Sequence, residues 1–218
     1  ALGLTEPDVG SDLRAITTTI EVEGDLLRIN GHKSFITNAG DADFYTMLGK
    51  ETVGGEIAYS LVLIPASTPG LSVSHPHQII APHVLGDVIM KDVMVPSSHR
   101  IGEPGKGFNL VLATLSTFRV SVAGAAIGIA QAALDEATKH AAGREQFGVP
   151  LARLGGIPAQ LANSWAEIEM ARALTYRAAA ASARDARANL YLSSLAKAGA
   201  TEMSGRVVDR AVQIMGRF

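Results

Sequence analysis

The character of the chain changes sharply near residue 105, and this change constrains the fold more than any other feature of the sequence. Residues 1–106 contain short runs rich in β-branched and aromatic residues, separated by glycine and proline. Residues 107–218 are rich in alanine and show extended apolar periodicity. The first pattern is typical of an antiparallel β-sandwich or barrel, and the second is typical of long helices. We therefore predict an α+β chain in which a β-domain over residues 1–106 precedes an incomplete long-helix bundle over residues 107–218.

Three helices are predicted in the second half, over about 107–142, 157–183 and 187–215. At a rise of 1.5 Å per residue they are rods of about 40–55 Å. Alanine-rich faces allow such rods to pack closely side by side. Three helices leave one groove of a bundle open, so we expect a fourth helix or another subunit to cover it.

The composition excludes several classes of protein. The formal net charge is −2, and this near-neutral balance argues against a nucleic-acid binder. No stretch reaches the roughly 18 uninterrupted apolar residues of a membrane span, so none is predicted. The chain has no cysteine, which excludes disulfides, cysteine-ligated zinc, iron–sulfur clusters and thiol nucleophiles.

Two short segments of the first half carry residue types that suit ligand binding. In the polar stretch from Leu4 to Asp12, the Gly10–Ser11 step would expose backbone N–H groups beside a hydroxyl, an arrangement that holds phosphate or ring heteroatoms. The alternative, which composition alone favours, is a capped surface turn. Phe35 followed by Thr37 at a strand end would suit a flat ring, although this pattern is more often an edge strand.

Histidines and arginines are further candidates. His75, His77 and His83 lie in a proline-rich segment without a helical register or a close carboxylate, so we predict solvated loop histidines and no metal site. Arg144, at the end of the first helix, would either serve the helix dipole or clamp an anion. Arg119 lies in an apolar stretch and would either pair internally or contact a ligand, and the sequence favours neither.

Five motifs occur in an order that points to one family. They read LTEPDVGSD, NGHKSFITNAGDADFY, VPSSHRIGEPGKGF, AAIGIAQAALDEATKHAAGREQFGVPLA and RAVQIMG. Together they resemble the acyl-CoA dehydrogenase family across nearly the whole chain. The resemblance implies the family's middle β-domain and most of its C-terminal helical domain. The family's N-terminal helical domain and the end of its C-terminal domain are expected to lie outside this sequence.

The resemblance also implies FAD as the cofactor, bound between the β-domain and the helices and shared across the subunits of a homo-oligomer, a dimer or tetramer. The implied FAD-binding residues are Leu2, Leu4, Thr5, Gly10, Ser11, Phe35, Ile36, Thr37, Arg144, Phe147, Gln213 and Gly216. The last four match residues that reach the FAD bound mainly by a neighbouring subunit. Thr37 would face the redox-active edge of the flavin, and Ser11 and Arg119 would contact the acyl-CoA.

Several positions depart from the family's usual pattern. Phe35 stands in place of a tryptophan, which removes an indole N–H. Val9 occupies the place of a small residue, and Gly155 that of a glutamine that contacts the AMP half of the cofactor. Arg217 follows Gly216 where a second glycine is usual. The change at Gly155 is expected to weaken that part of the cofactor site.

The reaction implied by the resemblance is the oxidation of a saturated acyl-CoA to the trans-2-enoyl-CoA. A glutamate removes the α-proton while hydride leaves Cβ for N5 of FAD, and the electrons then pass to electron-transfer flavoprotein. Most members carry this glutamate after the segment that matches QIMG, hence beyond Phe218. A minority place it where this chain has Phe118. The catalytic base is therefore unknown within this sequence.

Two alternatives to this enzyme are left open by the sequence. One is a non-catalytic partner subunit of a hetero-oligomeric dehydrogenase. The other is a different flavin enzyme of the superfamily, an oxidase or a monooxygenase. The expected location is the cytoplasm of a bacterium or, in a eukaryote, the mitochondrial matrix. The length and branching of the acyl chain are not encoded in any motif of this sequence.

Overall fold

The first half of the chain forms β-strands, as its short runs of β-branched and aromatic residues predict. The computed structural model describes residues 1–74, 77–80 and 83–217 of the protein. The chain divides into two units, Ala1–Val111 and Leu112–Phe218. The strands of the first unit are β1 (Leu2–Gly3), β2 (Thr19–Glu23), β3 (Leu26–Thr37), β4 (Phe44–Val53), β5 (Glu56–Pro65), β6 (Leu71–Ser74), β7 (Leu85–Pro96) and β8 (Arg100–Ile101).

These strands form one sheet in the order β6-β7-β3-β2-β4-β5-β8, with β1 pairing β4. Neighbouring strands are antiparallel, except that β4 runs parallel to both β1 and β2. The predicted β-domain is thus confirmed, and the two parallel pairings are an addition to the predicted antiparallel pattern. The parallel pairing of Leu2 with Thr46 places the start of the chain beside the middle of the sheet.

The core of this unit comes from alternating residues of the long strands, as expected when one sheet face is buried. In β7, Val88 and Met90 are buried on the core face of the sheet. Asp87, which precedes Val88, lies on the opposite face. In β3, Leu27 and Ile29 follow the same alternation. β3 and β7 pair antiparallel along nearly their whole length, and the end of β3 carries the candidate residues Phe35, Ile36 and Thr37.

The second half forms three long helices, as predicted. They are α1 (Gly107–Gly143), α2 (Ile157–Arg184) and α3 (Leu190–Met215), and a short hairpin of β9 (Glu145–Gln146) and β10 (Val149–Pro150) separates the first two. α3 begins three residues later than predicted. The reason is a turn in which the carboxylate of Asp185 accepts hydrogen bonds from the backbone N–H groups of Arg187 and Ala188, so these residues stay outside the helix.

Small side chains let the helices of the second unit pack closely. Ala123 and Ala130 of α1, Ile168 of α2, and Ala196 and Met203 of α3 belong to one buried cluster. Within the described residues, α1 is the helix with the length and hydropathy that would suffice to cross a membrane, and core helices of bundles meet the same criterion. Several large apolar side chains stay exposed on the three helices: Ile129, Trp165, Met170, Tyr176 and Val212.

Candidate functional site

The first motif forms a tight turn that lies against β3. Glu6 and Val9 exchange two backbone hydrogen bonds, of 2.9 and 3.0 Å, which close the turn. The backbone N–H of Ser34 on β3 donates to the carbonyl of Thr5 at 2.9 Å. Val9, one of the departures from the family pattern, has its side chain buried, so this larger side chain is accommodated by packing within the β unit.

A buried carboxylate holds this turn in place. Glu6 is 3% exposed and accepts five hydrogen bonds, from the backbone and hydroxyl groups of Thr17 and Thr18 and from the ammonium of Lys33. Burial alone would raise the pKa of Glu6, but these hydrogen bonds, led by that of the Thr18 hydroxyl, outweigh it and lower the pKa to about 2. Glu6 is therefore a structural anion that is unsuited to act as a base at neutral pH.

Lys33 is the partner that sequence reasoning did not assign. Its side chain is 0% exposed, and its Nζ donates to Glu6 Oε1 at 2.9 Å and to the carbonyl of Leu4 at 3.1 Å. Burial lowers the pKa of Lys33, and the hydrogen bond and charge of Glu6 oppose that effect. The sequence signal for this pair is that Lys33 shares the period-2 spacing of the buried Leu27 and Ile29 of β3.

The second motif contains a β-bulge. The register between β3 and β7 shifts between Lys33 and Ile36, and Phe35 has a φ of 55°, in the left-handed region that bulky residues rarely adopt. The bulge turns the Phe35 ring out of the sheet, where it is 58% exposed. Thr37, at the end of β3, is exposed too. Ile36 is buried in the β core, so only its backbone is free to meet a cofactor.

The two described histidines of the segment before β7 differ in their environments. The ring of His77 stacks on Phe35, and its Nε2 lies 2.8 Å from Asp87, while His83 Nε2 lies 3.2 Å from the Thr37 hydroxyl. His83 is exposed in the loop, as predicted, whereas His77 is half-buried against Phe35 and Asp87, so the prediction of a solvated loop histidine is wrong for His77. His75 lies outside the described residues. Among the described residues, no cluster of three or more potential metal ligands occurs.

The remaining first-motif residues lie on the surface of the same unit. Gly10 and Ser11 are exposed, and a Cβ atom at Gly10 would meet no other atom within 4 Å. Leu2 is half-buried in β1. The structure thus brings the two motifs of the β unit together, through the Glu6–Lys33 pair and the backbone bond between Thr5 and Ser34.

In the helical unit, two predicted residues lie on the hairpin that follows α1. Phe147 has a φ of 53° and is 94% exposed, an unusual position for a large apolar side chain. Arg144 is exposed, and its backbone continues the end of α1 through a 2.9 Å bond to the carbonyl of His140. A surface cavity of about 560 Å³ is lined by Arg144 and by Met215 at the end of α3.

The residues that line this cavity show that the ends of α1 and α3 lie next to each other. Gln213 is exposed on the last turn of α3, and Gly216 ends the helix with a φ of 68°. With a ψ of −115° this conformation is open essentially to glycine, and the Gly216 backbone N–H still donates to the carbonyl of Val212. Arg144, Gln213 and Gly216 therefore lie in one region of the second unit.

Arg119 is half-buried on α1 and, within the part of the chain that the structure describes, forms no ion pair. Of the two alternatives left open for Arg119, an ion pair inside the protein is therefore not observed in the described part of the chain. The neighbouring Phe118, at the alternative position for a base, has an exposed apolar ring. Gly155 is exposed with a φ of 48° and carries no side chain to contact a cofactor.

The β unit offers groups that fit a flavin dinucleotide. An exposed ring face at Phe35 suits a flat heterocycle, and the exposed hydroxyl of Thr37 suits a ring heteroatom. The open space over Gly10 and the hydroxyl of Ser11 suit a phosphate group that approaches the backbone. The donor set of this chain therefore agrees with the chemistry of FAD.

Comparison with known proteins identifies both halves of the chain. The acyl-CoA dehydrogenase middle domain matches residues 1–93, and the acyl-CoA dehydrogenase C-terminal domain matches residues 105–217. The cyclohex-1-ene-1-carbonyl-CoA dehydrogenase of Syntrophus aciditrophicus is 37% identical over 99% of this chain and 53% of its own length. A caffeyl-CoA reductase-Etf complex subunit of Acetobacterium woodii is 36% identical over 100% of this chain and 58% of its own.

The fold agrees with these matches. The structure of butyryl-CoA dehydrogenase from Megasphaera elsdenii superposes with a TM-score of 0.92 at 33% identity, covering 100% of this chain and 57% of that one. The chain thus spans between half and three-fifths of the length of the relatives it matches.

Proposed function

Because this chain belongs to the acyl-CoA dehydrogenase family, we propose that it is part of an enzyme that converts a saturated acyl-CoA into the trans-2-enoyl-CoA. The family is FAD-dependent. The observation that supports the proposal most is the joining of the two motifs of the β unit by the buried Glu6–Lys33 pair. This pair holds the loop of the first motif beside the strand that presents Phe35 and Thr37.

In this proposal each part of the β unit has a distinct role in holding FAD. Phe35 stacks on the flavin ring, and the Thr37 hydroxyl donates to its redox-active edge. Leu2, Leu4, Thr5 and Ile36 meet the cofactor mainly through backbone groups, and Gly10 and Ser11 lie towards the pyrophosphate. When bound, FAD supplies the acceptor for the hydride that leaves the substrate's Cβ.

The hydroxyl of Thr37 also contacts a side chain of the protein, and this contact is compatible with donation to the flavin. His83 Nε2 lies 3.2 Å from Thr37 Oγ1. If the histidine donates this bond, the hydroxyl oxygen accepts and its own proton is left to point at a ligand. A threonine in this state would donate to a flavin nitrogen without losing its contact within the protein.

Replacing Thr37 with valine is the first test of this assignment. Valine keeps the shape and loses one neutral hydrogen bond, which contributes about 0.5–1.5 kcal/mol. We expect substrate to reduce the flavin about 2- to 10-fold more slowly in the full-length enzyme, as measured by stopped-flow absorbance. Thr52→Val, at an exposed position of β4, is the matched control and should leave the rate unchanged. An unaltered reduction rate and flavin potential in Thr37→Val would remove Thr37 from the site.

The second part of the proposal concerns a subunit boundary. Phe147 holds its ring almost fully in water on a strained hairpin, which supports a role in which another molecule covers it. Arg144 lies beside the end of α3, close to the cavity that Met215 lines. We assign Arg144, Phe147, Gln213 and Gly216 to FAD held mainly by a neighbouring subunit of a homo-oligomer.

Arg144→Ala tests the shared site. Because ligand binding and assembly are linked by mass action, loss of this contact should weaken both. We expect FAD affinity to fall about 10-fold, together with a shift towards smaller species in sedimentation velocity. Arg184→Ala removes an exposed arginine at the end of α2 instead and should change neither. A variant that keeps stoichiometric FAD and the wild-type oligomer would show that Arg144 serves only its helix.

Substrate and partner follow from the same proposal. Ser11 and Arg119 would contact the acyl-CoA, and the base that removes the α-proton is not assigned to this chain. Electron-transfer flavoprotein is the proposed redox partner, which the relative from an Etf complex supports. Mass-spectrometric detection of enoyl-CoA, formed by the full-length protein with that partner, tests the reaction. A cytoplasmic or mitochondrial-matrix location stays a prediction.

A second candidate is a non-catalytic subunit of a hetero-oligomeric dehydrogenase. The absence of a side chain at Gly155, where the family has a glutamine at the cofactor, favours it. The colour of the purified full-length protein separates the two candidates. An enzyme with its own flavin is yellow, whereas a colourless protein that activates a second chain would support the partner role.

A further inference from the structure

Phe35 has one ring face covered by protein and the other open. The ring of His77 stacks on it, with the centroids 4.3 Å apart and the planes inclined by 14°. More than half of the Phe35 side chain is nevertheless exposed. A flat ligand therefore has one face of this ring to stack on, while His77 occupies the other.

A carboxylate holds His77 in this position. Asp87 accepts from His77 Nε2 at 2.8 Å through Oδ1, and from His32 Nε2 at 3.0 Å through Oδ2. A carboxylate only accepts, so both histidines carry a hydrogen on Nε2. Burial alone would raise the pKa of Asp87, but hydrogen bonds from His77, His32 and Ser34 lower it. Asp87 is thus ionised at neutral pH and bound to both rings.

The backbone explains why Phe35 needs such support. Its φ of 55° lies in a region that costs free energy for a residue with a bulky side chain. The bulge between Lys33 and Ile36 also removes the ladder contacts that would otherwise orient the ring. A ring on a strained and unpaired stretch of strand keeps one orientation only if a neighbour packs against it.

We propose that His77 is a positioning residue for flavin binding, held by Asp87 so that it keeps the open face of Phe35 in the orientation that stacks on the isoalloxazine. His32 secures the second oxygen of Asp87 and so fixes the carboxylate on β7. The inference rests on the proposed function, since it takes Phe35 as a flavin contact. His77 touches Phe35 rather than the cofactor.

The test uses the full-length protein, stripped of FAD and titrated with it. His77→Ala removes both the stack and the bond to Asp87, whereas His77→Phe keeps an aromatic ring against Phe35. Loss of one aromatic stack is worth about a 2- to 10-fold change in affinity. We expect that loss of FAD affinity in His77→Ala, with a shifted flavin absorption band and midpoint potential, and a substantial recovery in His77→Phe. Gln78→Ala, at the next and exposed residue, should match the wild type.

Asp87→Asn tests whether the carboxylate acts through His77. An amide offers a single acceptor oxygen to two donors, so FAD affinity should fall in the wild-type background. In the His77→Ala background the same change should have no further effect, because the residue it positions is gone.

Three results would overturn the inference. They are tighter or unchanged FAD binding in His77→Ala, an equal loss in His77→Phe, and an additive effect of Asp87→Asn on His77→Ala. Each of these, obtained with a wild-type protein that binds FAD, leaves the proposed function intact. A full-length wild-type protein that binds no FAD would instead overturn the proposed function and this inference together.

Discussion

Replacing Lys33 with methionine is expected to destabilise the β unit by about 3–5 kcal/mol, the usual cost of removing one partner of a buried ion pair. Methionine has a similar length, so the change removes the charge with little change in volume. Glu6 would then be buried with an uncompensated charge, and the carbonyl of Leu4 would lose its donor. Urea denaturation followed by circular dichroism measures the change in the free energy of unfolding.

The second half of this test is the double variant. In Glu6→Gln/Lys33→Met the uncompensated charge is gone, so part of the lost stability should return, giving a non-additive cycle. Lys91→Met, at an exposed position of β7, should lie within about 0.5 kcal/mol of the wild type. If Lys33→Met costs no more than this control, the pair does not hold the first motif in place.

Local sequence patterns are sufficient to predict the elements that carry the site. The change near residue 105 predicts strands followed by helices, because period-2 runs and alanine-rich periodic stretches each favour one backbone conformation. α1 (Gly107–Gly143) accordingly lies within one residue of its predicted end. The later start of α3 depends on the side chain of Asp185, which competes with the helix for backbone N–H groups.

The contacts that assemble the site depend on pairing between distant residues, which local patterns do not contain. Sequence patterns predict that Phe35 and Thr37 lie together at the end of a strand, but they do not predict the bulge that turns Phe35 outwards. Asp87 follows His77 by ten residues in the chain and meets it because the loop before β7 folds back onto the start of that strand, where the backbone N–H of His77 donates to the carbonyl of Leu85. Lys33 reaches Glu6 across 27 residues for a similar reason. Each of these contacts depends on how a loop packs against a strand, which local sequence patterns do not encode.

Gly107→Ala is expected to destabilise the protein by about 2–3 kcal/mol, because the new methyl group has no space. A Cβ atom at this position would lie 2.6 Å from Leu61 N and 2.7 Å from Ser60 Cα, closer than van der Waals contact allows. Both neighbours are backbone atoms of β5, which is paired on both sides, with β4 and with β8. The strand therefore cannot move aside without breaking ladder hydrogen bonds. Thermal and urea unfolding should both report the loss.

The matched control for this prediction lies on the same helix and should change stability in the opposite direction. A Cβ atom at Gly124 would meet no other atom within 4 Å. Alanine there gains helix propensity without a clash, so Gly124→Ala should stabilise the protein by about 0.5–1 kcal/mol. Comparing the glycine-to-alanine substitution at the two positions separates two effects on stability. One is the entropic cost of glycine in a helix, and the other is the close approach of a strand. If Gly107→Ala stabilised the protein as Gly124→Ala does, α1 would not begin against the backbone of β5.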